Sequence, residues 1–173
     1  MRAMIKLNQL SLRRGARLLF ESANLTVHPG QKVGLTGANG TGKSSLFALF
    51  RDELHADHGG VSIPDSWVIA HVAQETPAVD SPAIDYVLQG DSEYIALQQK
   101  LVKAEAEHDG HLQSELHDKL AAIDGYTARS RAGRLMHGLG FTGEQENLPV
   151  TSFSGGWRMR LNLAQALMCR SDL

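Results

Sequence analysis

The sequence predicts an α/β fold, in which a mixed sheet is fed by N-terminal antiparallel strands and interrupted by a helical insertion. Three observations predict it. Residues 4–27 carry two apolar runs near a strand's two-residue period, separated by Arg13-Arg14-Gly15. A glycine-rich stretch, Gly37-Ala38-Asn39-Gly40-Thr41-Gly42-Lys43-Ser44, lies between an apolar run and a helix-like segment. From Asp91 to Tyr126 the composition turns to Gln, Glu, Lys, His and Ala with few β-branched residues, which favours helix.

Taken in order, residues 4–12 place Ile5, Leu7, Leu10 and Leu12 near alternation with one slip, so a bulged strand is expected. Residues 17–27 resume the apolar pattern, completing a hairpin that ends at the His28-Pro29-Gly30 turn. Lys32 to Thr36 then reads as a short buried strand delivering the chain into the glycine loop. Lys43 to Leu54 reads as a helix with Leu46, Phe47, Leu49, Phe50 and Leu54 apolar. Strand, loop and helix are the context that the G-x-x-x-x-G-K-[ST] pattern requires. Its glycines allow backbone conformations closed to other residues, so successive N–H groups can turn inward around phosphate oxygens. Lys43 adds a point charge on the terminal phosphates and Ser44 a hydroxyl for Mg²⁺, at the positive end of the following helix.

Beyond a polar loop at residues 55–60, Val61-Ser62-Ile63 and Trp67 to Val72 are strand candidates, the second running into Gln74. A glutamine leaving a buried strand there is placed to approach the metal or the attacking water, although a surface glutamine is the commoner case. Residues 82–90 read as a short helix. Leu97, Leu101 and Ala104, then Leu112, Leu116, Leu120 and Ile123, mark two amphipathic helices joined around His108-Asp109-Gly110. Residues 127–139 continue helical; Arg129, Arg131 and Arg134 there fit a solvated face, with a phosphate contact as the alternative. Ser154-Gly155-Gly156 opens a further helix through Leu161, Leu163, Ala164 and Leu167, a second candidate anion site.

Composition bounds the function classes. The chain has 173 residues, 42% of them hydrophobic, enough for one ordinary domain or a substantial piece of a larger one. A net charge of -2 argues against a strongly basic nucleic-acid binder, so any RNA contact must be local. Cys169 is the only cysteine, which rules out an intrachain disulfide. No apolar run of about 18 residues and no signal-peptide pattern occurs, so a soluble, cytoplasmic protein is expected. His108, His111 and His117 cluster loosely but lack the spacing of a zinc site, and no metal is expected there.

The phosphate loop at 37–44, the glutamine at Gln74 and the run Phe153-Ser154-Gly155-Gly156-Trp157-Arg158-Met159-Arg160 together resemble the nucleotide-binding domain of ATP-binding cassette proteins. With the short helical hairpin, the chain resembles the bacterial ABC-F group over nearly its whole length. The resemblance implies an ABC-type ATPase fold, with an N-terminal part of the ATP-binding core at 4–90, a helical subdomain with an arm-like hairpin at 91–150, and the signature with its returning helix at 151–173. It further implies that the strand bearing the Mg²⁺-orienting aspartate and the water-polarising glutamate lies beyond Leu173, so that the chain is the first part of a first cassette.

The implied cofactors are ATP and Mg²⁺. The implied nucleotide contacts are Gly37, Ala38, Asn39, Gly40, Thr41, Gly42, Lys43, Ser44 and Ser45, with Ser44 and Gln74 near the metal. Ser154, Gly155 and Gly156 would contact nucleotide held by a second cassette. Where cassettes place an adenine-stacking aromatic, this chain has Arg14, which can stack on a base or stay solvated. Implied partners are a second cassette of the same polypeptide and the ribosome, through rRNA or tRNA, with no membrane domain and no DNA. The alternative is the ATPase subunit of a membrane transporter. A repair-type cassette on DNA would need a far longer insertion than the stretch from Asp91 to Pro149 allows.

Overall fold

A computed structural model describes residues 4–73 and 78–173. The chain divides into two compact units, residues 1–69 and residues 70–173.

In the first unit, β1 (Ile5–Arg14) pairs antiparallel with β2 (Arg17–Val27) on one side and with β3 (His58–Ser62) on the other, giving the order β2-β1-β3. The expected slip in β1 is a bulge: Gln9 and Ser22 both adopt left-handed backbone, and the register jumps between Leu7↔Leu25 and Leu10↔Ala23. The bulge turns Leu10 and Leu12 to the same face as Leu7. There they pack with Leu46 and Leu49 of α1 (Lys43–Phe50), and with Leu19, Phe20 and Val61 around them.

Helix α1 stops short of the expected Leu54. Asp52 is left-handed at φ 58°, the Glu53 N–H donates to the Ala48 carbonyl (2.9 Å) and the Asp52 N–H to the Leu49 carbonyl (3.2 Å). This is the paired-bond helix ending usually built on glycine. Here a bidentate ion pair between Arg51 and Glu53, with both bonds at 2.6 Å, accompanies it.

Two expected strands are not strands. Lys32 to Thr36 and Trp67 to Val72 make no ladder among the described residues, and Val33 is 59% exposed. A buried parallel strand is stable only when neighbouring strands take up its backbone N–H and C=O groups. No strand among the described residues runs beside either segment, although the Ala70 N–H donates to the Leu173 carbonyl at 2.8 Å. The α/β class, the antiparallel N-terminal strands and the helical insertion stand as expected.

The second unit is helical: α2 (Ala83–Leu88), α3 (Ser92–Ala106), α4 (Gly110–Ala122), α5 (Ala128–Gly138) and α6 (Gly155–Met168). Helices α3 and α4 form the expected hairpin, burying Leu97, Leu101, Ala104, Leu116 and Leu120 between them. Asp109 caps α4 by accepting from the Leu112 N–H (3.0 Å). A separate core joins α2, α5 and α6 through Ile84, Val87, Met136, Val150, Leu161 and Met168.

Candidate nucleotide-binding site

The glycine loop follows a segment without strand structure and enters α1 at Lys43, with Gly42 as N-cap in left-handed backbone (φ 100°). Gly40 (φ 77°) and Gly37 (φ 152°) also have positive φ, so three positions of the loop use conformations that other residues adopt only under strain. A side chain at Gly42 would press on the Phe20 ring, 3.0 Å from the position of its Cβ. Within the loop the Thr41 hydroxyl donates to the Ala38 carbonyl (2.9 Å). The Lys43 ammonium donates to the Gly37 and Ala38 carbonyls, at 2.7 and 2.8 Å, which holds it on the loop rather than in solvent.

No backbone–backbone hydrogen bond of ordinary geometry among the described residues takes up the N–H of Ala38, Asn39, Gly40 or Gly42. These donors are free for a ligand. Residues 37–41 are exposed, so such a ligand can reach the N–H groups of Ala38, Asn39 and Gly40, while Gly42 is buried. A run of unused N–H groups, an ammonium and a helix N-terminus fits phosphate. Ser44 is exposed and Ser45 half-buried in the first turn of α1, and the Ser44 hydroxyl fits an oxygen ligand of Mg²⁺. Arg14 is exposed at the hairpin end, in register with Arg17. Gln74 lies outside the described residues.

In the second unit, Ser154 is the N-cap of α6 but makes no side-chain capping bond, and Gly155 and Gly156 follow it exposed. A Cβ at either glycine would meet nothing within 4 Å. Packing within this chain therefore does not demand glycine there, and the first turn of α6 is open to an incoming group.

Two residues of that run, Phe153 and Trp157, are aromatic and share one neighbour. Phe141 packs edge-on against both, with centroids 5.5 Å from Phe153 and 4.8 Å from Trp157. Arg160 lies over the Trp157 ring at 4.6 Å and donates to the Leu139 carbonyl (3.1 Å). An aromatic cluster thus seats the start of α6.

The arginines of α5 differ from a uniformly solvated face. Arg131 donates to the buried carboxylate of Asp91 at 2.6 Å, and Asp91 also caps α3 by accepting from the Tyr94 N–H (3.1 Å). Arg129 meets Asp85 at 3.1 Å. Arg134 lines a cleft of about 520 Å³ with Arg129, Gly133, His137 and Glu146.

Sequence reasoning missed three residues. Arg17 stands against Gly40, and only the hairpin register could have pointed to it. Tyr86 and Asn162 are buried together, the phenol donating to Asn162 Oδ1 at 2.6 Å while Asn162 Nδ2 donates to the Ala73 carbonyl at 3.1 Å. Burial pushes the Tyr86 phenol above its ordinary pKa, so it stays a donor.

Residues 20–173 match the family model described as ABC transporter. The probable ATP-binding protein YheS of Escherichia coli is 55% identical over 170 residues, covering 98% of this chain and 27% of that protein. ATP-binding cassette sub-family F member 3 of Rattus norvegicus is 33% identical, over 98% of this chain and 24% of its own length. The chain thus spans about a quarter of these relatives. Among solved structures, an inward-facing metal-chelate type ABC transporter superposes with a TM-score of 0.61 at 20% identity, over 97% of this chain and 56% of that one. This likeness concerns the fold alone.

Proposed function

The chain belongs to the ABC transporter family, with relatives of the ABC-F type, and on that premise we propose that residues 37–45 bind ATP with Mg²⁺ as half of a composite ATPase site. The observation that carries this reading is the loop itself: unused, exposed N–H donors at Ala38, Asn39 and Gly40 beside the Lys43 ammonium, at the start of α1. Lys43 and the loop amides bind the phosphates, and Ser44 holds the metal, which when bound offsets charge on them. Gln74 is proposed to approach the same metal. Arg14 is the proposed contact to the base.

Ser154, Gly155 and Gly156 are proposed to meet nucleotide held by a second cassette, so that two nucleotides are enclosed when the cassettes close and released after hydrolysis. The open space over both glycines supports this. In this reading residues 4–90 are core, 91–150 the helical subdomain with its arm, and 151–173 the signature segment. The longer protein is a cytoplasmic ABC-F ATPase, and its partner is the ribosome.

Catalysis of phosphoryl transfer to water needs a group that positions the water, besides a phosphate cradle. Residues 1–173 alone are therefore expected to bind ATP without turning it over. Release of phosphate by the purified chain, abolished in Lys43→Ala, would refute that division of roles. The ribosomal part is tested by sedimenting the full-length protein with ribosomes in ATP with hydrolysis blocked. Enrichment in the ribosome pellet is expected; equal recovery with and without ribosomes would contradict it.

A further inference from the structure

We propose that Arg17 contacts the phosphates of the bound nucleotide, a role that rests on residues 37–45 being the nucleotide site. Strand β2 is applied directly to the glycine loop at two places. At Gly42 the contact is apolar, from Leu19 and Phe20. At Gly40 it is cationic: Arg17 Nη1 stands 3.1 Å, and Cζ 3.9 Å, from where a Cβ on Gly40 would be. The guanidinium occupies the space that the left-handed glycine leaves empty. Residue 40 is glycine for two reasons, its φ of 77° and this cation.

Among the described residues the cation has no other partner. No side-chain hydrogen bond or ion pair joins the Arg17 guanidinium to another described residue, whereas Arg51, Arg129 and Arg131 each have a carboxylate. A guanidinium held against an anion-binding loop with no counter-charge raises the local positive potential. It also presents forked N–H donors suited to phosphate oxygens. Its placement follows from register: Arg14 and Arg17 face each other across the hairpin end, and Arg17 is the one that meets the loop. The two arginines therefore divide the work, Arg17 on phosphate and Arg14 on the base.

Titration of the full chain with ATP and, separately, with inorganic tripolyphosphate tests this division. Tripolyphosphate carries the charge without the base. Arg17→Ala is expected to weaken both ligands by at least about tenfold, and Arg17→Lys to recover part of the loss. Arg14→Ala is expected to weaken ATP and leave tripolyphosphate unchanged. Unchanged affinity for both ligands in Arg17→Ala would overturn the inference, as would a loss confined to ATP, or wild-type binding of ATP without tripolyphosphate. Wild-type chain that binds neither ligand would instead remove the nucleotide site on which the inference rests. Arg17→Gln keeps the polar stem and carries the comparison if Arg17→Ala melts early by circular dichroism.

Discussion

At Tyr86 a phenol with almost no exposure donates to an equally buried amide, and that amide holds the Ala73 carbonyl. Each atom in this chain of bonds has a partner only because the others are present. Tyr86→Phe leaves Asn162 Oδ1 without its donor and is expected to cost about 1–3 kcal/mol in urea denaturation. The pH dependence follows from the direction of the shift. Burial raises the Tyr86 pKa above its ordinary value near 10. The folded chain thus holds this proton more tightly than the unfolded one. The contribution is complete below the unfolded value and is lost as pH rises through the folded value. The stability gap between wild type and Tyr86→Phe should narrow above about pH 10. A constant gap there would show that the phenol's proton is not involved.

Glycines separate packing from function at the level of elements. A Cβ at Gly90, between α2 and α3, would stand 1.9 Å from the Gln165 carbonyl of α6, an overlap with backbone that no rotamer relieves. Gly90→Ala is expected to destabilise by more than about 2 kcal/mol, read as a lowered melting temperature. Gly155→Ala, at the start of the same α6, meets open space and should melt with wild type. In the proposed composite site its effect is on ATP turnover by the full-length protein, which should fall if a second nucleotide sits there. Asp91 is the other joint, capping α3 while pairing with Arg131 of α5. Asp91→Ala strands Arg131 and uncaps α3, and should cost roughly 3 kcal/mol.

Elements whose pattern is local were legible in the sequence. The period-two runs of β1 and β2, the glycine loop opening α1, the leucine stripes of α3 and α4, and the Ser-Gly-Gly start of α6 all appear where they were expected. The exceptions have physical reasons. The end of α1 turns on Asp52 in a left-handed conformation that glycine usually takes, so no glycine marked it.

Over the whole molecule, what the sequence hid depends on partners distant along the chain. Lys32–Thr36 and Trp67–Val72 have strand-like composition, but a strand exists through its ladder, and composition does not say whether a ladder forms. Arg131 looked like part of a solvated face because its carboxylate lies forty residues earlier in the chain. Arg17 reaches Gly40 through the fold of the first unit, not through spacing. The candidate site was the most legible part, because a phosphate loop is a local device: its glycines, lysine and serine are consecutive, and their roles follow from backbone geometry.

The same locality makes the site testable in residues 1–173 alone. Calorimetric titration of the full chain with ATP in the presence of Mg²⁺, for wild type and Lys43→Ala, is the most direct measurement. Saturable one-site binding is expected for wild type, with loss of about tenfold or more in affinity when the ammonium on the loop is removed. Binding of equal strength in both, in a variant that melts like wild type, would contradict the assignment of residues 37–45 as the nucleotide site.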